Sequence, residues 1–189
     1  MSRIARFWFD YADPLSFLME RTLAALEAET GAPVERVGLE LNPPPAPLLE
    51  SGAGPWLARW KEARAAAPGL ALASPRIVPW TRKAHELALE AREQGRFEPV
   101  HRALFEAFHL HGRDLGRVDV LLEIAVRCEL ELSHTKAVLD VDRHTEAVES
   151  ARAEAERLGV AGVPALLAAD RTLSGIQDRD TILALLRDA

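Results

Sequence analysis

The chain has 189 residues, of which 48% are hydrophobic and 28% charged, and its formal net charge is −6 at neutral pH. This balance is typical of one globular domain, or of one domain with an inserted subdomain. The acidic charge argues against a nucleic-acid partner, which would require a basic surface. No apolar run is long enough to span a bilayer, and no signal peptide is evident, so we expect a cytoplasmic protein.

The first elements follow a β-α-β order. Residues 4–9 alternate and are rich in aromatic side chains, which predicts a strand. Asp13 followed by Pro14 predicts a helix start, with aspartate at the N-cap, and Gly31 predicts the helix end. Residues 34–41 predict a second strand, which the prolines after Asn42 terminate. A right-handed crossover would place these two strands parallel to each other.

From about residue 46 to 157 the pattern is helical almost throughout. Strand character returns near the C-terminus, in an apolar run and a short strand that predict a hairpin, followed by a final helix. The predicted helices of the middle region lie around 56–60, 81–95, 100–108, 118–128, 132–139 and 142–158, and the later elements at 165–168, 172–174 and 178–186.

Several motifs give this layout a family resemblance. The Phe-Trp-Phe-Asp stretch at 7–10 precedes a proline-bearing helix start, Glu-Leu-Asn-Pro lies at 40–43, and Gly-Val-Ala-Gly-Val-Pro lies at 159–164. Ser-Gly-Ile-Gln follows at 174–177. Over nearly the whole chain this set resembles the DsbA-like branch of the thioredoxin superfamily, in particular its FrnE-type members.

The resemblance implies an α/β, thioredoxin-like fold with a large all-helical insertion between the β-α-β and α-β-β-α halves. Residues 1–45 and 142–189 would form the thioredoxin-like domain, and residues 46–141 the helical insertion. It also implies that Pro164 is a cis proline at the active site, where the backbone of Val163 pairs with a peptide or glutathione substrate.

A second group of relatives shares this fold. The sequence is also similar to 2-hydroxychromene-2-carboxylate isomerases and kappa-class glutathione transferases, which carry a serine motif in place of the redox cysteines. Gln177 and Asp178 resemble the residues with which those proteins bind glutathione. Helix capping is an equally good explanation of Gln177 and Asp178.

The segment that corresponds to the redox motif is Asp-Pro-Leu-Ser at 13–16. Neither Asp13 nor Ser16 can undergo thiol–disulfide exchange, and the single cysteine, Cys128, cannot form an intramolecular disulfide. Asp13 is either a simple N-cap or a carboxylate that acts in the site as a base. A carboxylate next to a glutathione thiolate would raise the pKa of that thiol by repulsion.

The candidate catalytic residues are Asp13 and Ser16. The candidate substrate-binding residues are Tyr11, Pro14, Val163, Pro164, Gln177 and Asp178. No metal site is expected, because the histidines lack the spacing of known metal motifs. His85 is expected at the surface, and Cys128 is expected to be a buried, inert thiol. The large aromatic side chains are expected to pack in the core: Trp8, Tyr11, Trp56, Trp60 and Trp80.

Three functional hypotheses remain at this stage. The first is a DsbA-like, oxidoreductase-like protein that has lost thiol redox chemistry and binds a small thiol or a peptide. The second is a glutathione-dependent isomerase or transferase that uses Asp13 and Ser16. The third is a non-catalytic homodimer, because related proteins often pair. The scarcity of asparagine and glutamine would also suit a thermophile.

Overall fold

The computed structural model describes residues 4–187. Two sheets and eight helices follow one another along this part of the chain. Their bounds are β1 Ala5–Phe9, α1 Pro14–Thr30, β2 Val34–Gly38, β3 Leu49–Glu50, α2 Gly54–Ala66, β4 Ile77–Val78, α3 Arg82–Glu93, α4 Phe97–His109, α5 Val118–Arg127, α6 Leu132–Asp140, α7 Thr145–Arg157, β5 Ala165–Ala168, β6 Arg171–Ser174 and α8 Arg179–Arg187.

The main sheet has the strand order β2-β1-β5-β6. Strand β1 pairs in parallel with β2, in a register that joins Ala5 to Val34 and Phe9 to Gly38. Strand β5 runs antiparallel to β1, and β6 antiparallel to β5. The predicted parallel pair and the predicted C-terminal hairpin are therefore confirmed, and together they give the mixed sheet of a thioredoxin-like fold.

Strand β1 is paired on both edges, by β2 and β5, and apolar clusters cover both of its faces. Phe7 and Phe9 face the larger apolar core with α1 and the helices of the middle region, whereas Trp8 faces a second cluster with Ala155 and Val163. Alternate side chains of a strand point to opposite faces, so this single strand contributes buried side chains to both apolar clusters. Helices thus cover the sheet on both sides.

Helix α1 begins and ends as the sequence predicts. Asp13 is its N-cap, Pro14 occupies the first turn, and the Asp13 carboxylate accepts a hydrogen bond from the backbone N–H of Ser16. Gly31 ends the helix with a φ of 70°, a left-handed conformation that glycine adopts without strain, and its N–H donates to the carbonyl of Glu27. The N-terminus of α1 therefore lies directly at the end of β1.

The middle region departs from the prediction in one place. Residues 67–80 are not helical, and the two-residue strand β4 pairs antiparallel with β3 in a small second sheet. This stretch contains Pro68, Pro75 and Pro79. Proline interrupts helices and disfavours the helical conformation in the residue before it. The expectation of helix almost throughout residues 46–157 is wrong here. Strand β2 also ends at Gly38, three residues earlier than predicted.

Most of the aromatic side chains lie where they were expected. Trp8, Tyr11, Trp56 and Trp60 are buried, but Trp80 is 37% exposed, and its indole N–H donates to the carbonyl of Ala46 at 2.8 Å. Among residues 4–187, no helix is both long enough and apolar enough to cross a membrane.

Gly38 at the end of β2 is a position where no side chain fits. A Cβ atom there would lie 2.2 Å from Nδ1 of His85. The His85 ring cannot easily retreat, because it packs against Tyr11, with ring centroids 4.9 Å apart. We expect Gly38→Ala to lower the free energy of unfolding by about 1–3 kcal/mol, measured by urea denaturation.

Two variants control this experiment. Gly52→Ala should be close to neutral, because a Cβ at Gly52 meets no atom within 4 Å. Gly38→Ala should cost much less free energy of unfolding when it is made in a His85→Ala background than in wild type, because the clashing ring is then absent. Equal stability of Gly38→Ala and Gly52→Ala would contradict the assignment of the clash.

Candidate functional site

The centre of the site is the carboxylate of Asp13, at the N-terminus of α1. Its Oδ2 accepts hydrogen bonds from the Ser16 backbone N–H at 2.8 Å and from the Ser16 hydroxyl at 2.6 Å. Both residues are fully buried. The two predicted catalytic residues thus form one hydrogen-bonded polar unit at the N-terminus of α1, where the helix favours negative charge.

Arg59 of α2 completes this unit, and the sequence did not identify it. Its Nε donates to Oδ1 of Asp13 at 2.6 Å, and its Nη2 donates to the carbonyl oxygen of Val163. The Arg59 side chain is 27% exposed, whereas that of Asp13 is 0% exposed. One guanidinium thus bridges the start of α1 and the loop before β5, and it is the solvent-facing side of the ion pair.

Burial raises the pKa of the Asp13 carboxyl, and the bonds from Arg59 and Ser16 oppose that rise. An ion pair between a buried carboxylate and a guanidinium, with hydrogen bonds to both carboxylate oxygens, is well compensated electrostatically. The charge of Asp13 therefore depends on Arg59 remaining in place.

The remaining predicted residues divide into two groups. Tyr11 and Pro14 are buried beside this unit in the chain. Val163 and Pro164 are also buried, are joined to the unit through the bond from Arg59 to Val163, and share a cis peptide bond. The carbonyl of Val163, expected to be available to a substrate, is occupied by Arg59. The residues that would form the substrate cleft are thus closed over by a side chain of the protein itself.

Gln177 and Asp178 lie at the start of α8 and form no hydrogen bond or ion pair with Asp13 or Ser16 in the described structure. Asp178 is exposed and accepts bonds from the N–H and the hydroxyl of Thr181, at 2.9 and 2.7 Å, which lower its pKa. Gln177 donates to the carbonyl of Ser174 at 2.7 Å. Both residues act locally as turn and cap residues, although Gln177 also lines an open groove beside Leu18 of α1.

Two buried histidines, His101 and His109, lie within hydrogen-bond distance of Tyr11. The Tyr11 hydroxyl is 2.8 Å from Nδ1 of His101, and Nε2 of His109 is 2.9 Å from the Tyr11 carbonyl oxygen. Burial, with the nearby charge of Glu20, raises the pKa of Tyr11 well above 10. Tyr11 is thus a neutral, fully buried support of the segment between β1 and α1, and its hydroxyl already has a partner.

The surface position predicted for His85 is wrong. His85 is 3% exposed, and its Nε2 lies 3.7 Å from Oδ1 of Asp10. Burial acts to raise the pKa of Asp10, but His85 and the backbone N–H groups of Leu41 and Ala12 outweigh it and lower the pKa. The side chain that was expected in solvent belongs to the polar support of the loop that carries Asp13.

Cys128, the last candidate, ends α5 and is partly buried rather than fully buried. Burial raises the pKa of its thiol, which lowers the thiolate fraction at neutral pH. No described contact links Cys128 to Asp13 or Ser16.

Acid should destabilise the fold through His109. Burial lowers the pKa of His109 to about 3, against about 6.5 in an unfolded chain. Between these values the unfolded state binds the extra proton, so the stabilising contribution is complete above about pH 6.5 and is lost as the pH falls towards 3. We expect a loss approaching ~1.4 kcal/mol per pH unit near pH 5 from this group.

His109→Gln keeps a donor for the Tyr11 carbonyl but cannot titrate. Chemical denaturation at pH 4–7 should show a shallower pH dependence in this variant than in wild type. His111→Gln, at an exposed histidine close by, should keep the wild-type slope. Identical slopes in wild type and His109→Gln would contradict a neutral, buried His109.

A family model described as the DSBA-like thioredoxin domain matches residues 5–187. The chain belongs to the DSBA-like thioredoxin domain family. No curated protein matches the sequence at a significant level.

Solved structures of family-like proteins match almost the entire chain. A probable DsbA oxidoreductase from Streptomyces coelicolor is 25% identical, with a TM-score of 0.78, over 97% of this chain and 88% of that chain. A 2-hydroxychromene-2-carboxylate isomerase is 17% identical, with a TM-score of 0.78, over 98% and 94%. The cytosolic disulfide reductase DsbM from Pseudomonas aeruginosa, solved with GSH, is 19% identical, with a TM-score of 0.68, over 97% and 94%. The last two likenesses establish a shared fold.

Proposed function

We propose that this protein is a DSBA-family member that has lost thiol–disulfide exchange and uses the former redox site to bind a small anionic thiol or a peptide. The observation that carries the proposal is the Asp13–Ser16–Arg59 unit. It occupies the N-terminus of α1 with a carboxylate, a hydroxyl and a guanidinium, and it contains no sulfur.

The loss of redox chemistry follows from covalent chemistry. Disulfide exchange requires a thiolate that attacks a disulfide and a second thiol that resolves the mixed disulfide. Asp13 and Ser16 offer oxygen atoms only. Cys128 has a raised thiol pKa, and as a single cysteine it has no resolving partner within the chain.

The ligand class follows from Arg59. Its guanidinium is partly exposed, and no hydrogen bond engages its Nη1 in the described structure. A ligand carboxylate could pair with this guanidinium, and a ligand that displaced Nη2 would free the carbonyl of Val163 for a backbone hydrogen bond. Glutathione carries carboxylates, a backbone-like amide and a thiol, and DsbM, which has the same fold, was solved with it.

A glutathione-dependent isomerase is the second candidate. It is favoured by the fold shared with 2-hydroxychromene-2-carboxylate isomerase and by the Ser16 hydroxyl at the helix N-terminus. In this structure that hydroxyl donates to Asp13. An isomerase mechanism would therefore need Arg59 and Asp13 to rearrange, so that Ser16 or Asp13 faces the glutathione sulfur.

Two assays test these proposals. Insulin reduction with wild-type protein should be blank, and turnover that persists in Cys128→Ser would overturn the loss of redox activity. Calorimetric titration with reduced glutathione should show binding that weakens in Arg59→Lys, in which the bidentate fork is lost. No heat and no thermal stabilisation at millimolar glutathione would exclude both glutathione binding and the isomerase, and peptides would then be titrated in the same way.

Asp178→Ala distinguishes the two candidates. In the isomerase-type arrangement implied by relatives, Asp178 contacts glutathione, and its loss should weaken binding. If Arg59 and Val163 form the binding site, Asp178→Ala should bind glutathione as wild type does, because Asp178 only caps α8 in this structure.

A further inference from the structure

A second polar cluster lies outside the former redox site, where α3, α6 and the start of α7 meet. Ligand atoms of Glu90, Glu93 and His144 all lie within 4.8 Å of one another. A fourth group joins them, because Nε2 of His134 is 3.2 Å from Oε1 of Glu90. The cluster therefore combines two carboxylates and two imidazoles from three separate helical segments.

Glu90 is the centre of this cluster. It is fully buried, and its Oε2 lies 3.1 Å from Nε2 of His144, which is itself buried. Its other oxygen, Oε1, accepts a hydrogen bond from Gln94 and lies next to His134. A carboxylate buried in this way needs a cation or hydrogen-bond donors close by.

The donor set suits a divalent transition metal. Zinc binds imidazole nitrogen and carboxylate oxygen at about 2.0–2.2 Å in tetrahedral geometry, which separates neighbouring ligand atoms by roughly 3.3–3.5 Å. In this structure the ligand atoms of Glu90, Glu93 and His144 lie within 4.8 Å of one another, so the three side chains would draw together around the ion. Nε2 of His144 is a hydrogen-bond partner of Glu90, and a bound metal would replace the proton between these two atoms.

We propose that Glu90, Glu93 and His144 form a binding site for a divalent metal ion of the zinc class, with His134, which contacts Oε1 of Glu90 and is 51% exposed, turning in as the fourth ligand. Gln94, which donates to Oε1 of Glu90 at 2.7 Å, is an outer-shell group that orients the central carboxylate. The bound ion would join α3, α6 and α7, so its role is to hold the helices together.

Arg143 is the internal competitor for this site. Its Nη2 is 2.8 Å from Oε2 of Glu93, and its Nη1 is 3.7 Å from Oε2 of Glu90. The guanidinium thus supplies the positive charge that a metal would bring. Its side chain is 45% exposed, so it can move into solvent when a metal binds. Removing Arg143 should therefore strengthen metal binding, whereas an ordinary hydrogen-bonded cluster would gain no affinity for a metal.

The test is a titration of EDTA-treated full-length protein with Co²⁺, followed by visible absorption, and with Zn²⁺, followed by calorimetry and thermal denaturation. We expect one ion per chain, a four-coordinate Co²⁺ spectrum and a rise in melting temperature. Arg143→Gln should bind several-fold more tightly. Glu93→Gln, a change at a half-exposed side chain, should weaken binding at least ~10-fold, since even the loss of outer-shell partners has effects of that order.

His111→Gln is the matched control, because His111 is an exposed histidine away from the cluster and should not alter binding. His144→Gln should abolish the Co²⁺ spectrum, and circular dichroism of the metal-free variant checks its fold. Three outcomes would overturn the proposal: no stoichiometric binding, binding unchanged in both Glu93→Gln and His144→Gln, or binding that His111→Gln removes. None of these measurements depends on glutathione binding or on activity at the former redox site.

Discussion

Arg59→Met is expected to lower the free energy of unfolding by about 3–5 kcal/mol at neutral pH, because it removes the only cation paired with the fully buried Asp13 in the described structure. The loss exceeds that of a surface ion pair, since an isolated charge in the interior has no solvent to compensate it. Methionine keeps most of the volume of the arginine stem, so the effect reports the charge and its hydrogen bonds. Urea denaturation measures the difference directly.

The effect of Arg59→Met should grow as the pH rises. Without Arg59, burial raises the folded-state pKa of Asp13 further above its unfolded value of about 3.9. A group with a raised folded pKa stabilises the fold below its unfolded pKa and loses that contribution as the pH rises through the folded pKa. Arg59→Met should therefore be less destabilising at pH 5 than at pH 8.

Two further variants sharpen the comparison. Asp13→Asn added to Arg59→Met should restore a large part of the stability, because asparagine still caps α1 without a buried charge. Lys61→Met, an exposed change on the same helix, should stay within about 0.5 kcal/mol of wild type. A loss from Arg59→Met no greater than that of Lys61→Met would show that Arg59 does not compensate Asp13.

The combined substitution Asp13→Cys and Ser16→Cys is expected to give the protein the thiol–disulfide exchange that we propose the wild type has lost. Position 13 lies at the N-terminus of α1, with the Arg59 guanidinium within bonding distance of its side chain. Both features favour a thiolate and oppose the burial that raises the pKa of the carboxyl at this position, so the pKa of the introduced thiol should be lower with Arg59 present than in the same variant with Arg59→Met. The second thiol, three residues later, would resolve the mixed disulfide.

The measurements are thiolate absorbance against pH and insulin reduction with dithiothreitol as the electron donor. Asp13→Cys alone should show the lowered pKa but little turnover, because it lacks the resolving thiol. Adding Arg59→Met should raise the pKa again. An unchanged thiol pKa when Arg59→Met is added to the double-cysteine variant would mean that Arg59 does not stabilise an anion at the start of α1.

Local signals predicted the parts of the site that depend on neighbours in the chain. The Asp13–Pro14 helix start, the end of α1 at Gly31 and the hairpin after Pro164 were all evident from the sequence, because capping, left-handed turns and strand alternation are short-range effects. The family motifs added the thioredoxin-like fold. The stretch at 67–80, which contains Pro68, Pro75 and Pro79, was given no strand, since its short strand β4 exists only through pairing with β3.

The partners of these local features came from distant parts of the chain. Arg59 is separated from Asp13 by 46 positions and from Val163 by 104, and the flanking Trp56 and Trp60 predicted only that α2 packs against the core. His85 was expected to face solvent because it lies on a polar helix. It is buried instead, and its ring packs against Gly38, which has no side chain to exclude it. The four groups of the proposed metal site likewise lack a spacing motif.

The sequence by itself determined that no cysteine pair is present and that residues 13–16 stand where the family motifs would place one. A chain with one cysteine and with Asp13 and Ser16 at the start of α1 lacks the paired thiols that disulfide exchange requires there. Only the tertiary structure decided what replaces that chemistry. Whether Asp13 faces an open cleft or a guanidinium depends on how α2 packs against α1, and packing between distant segments is set by the whole core.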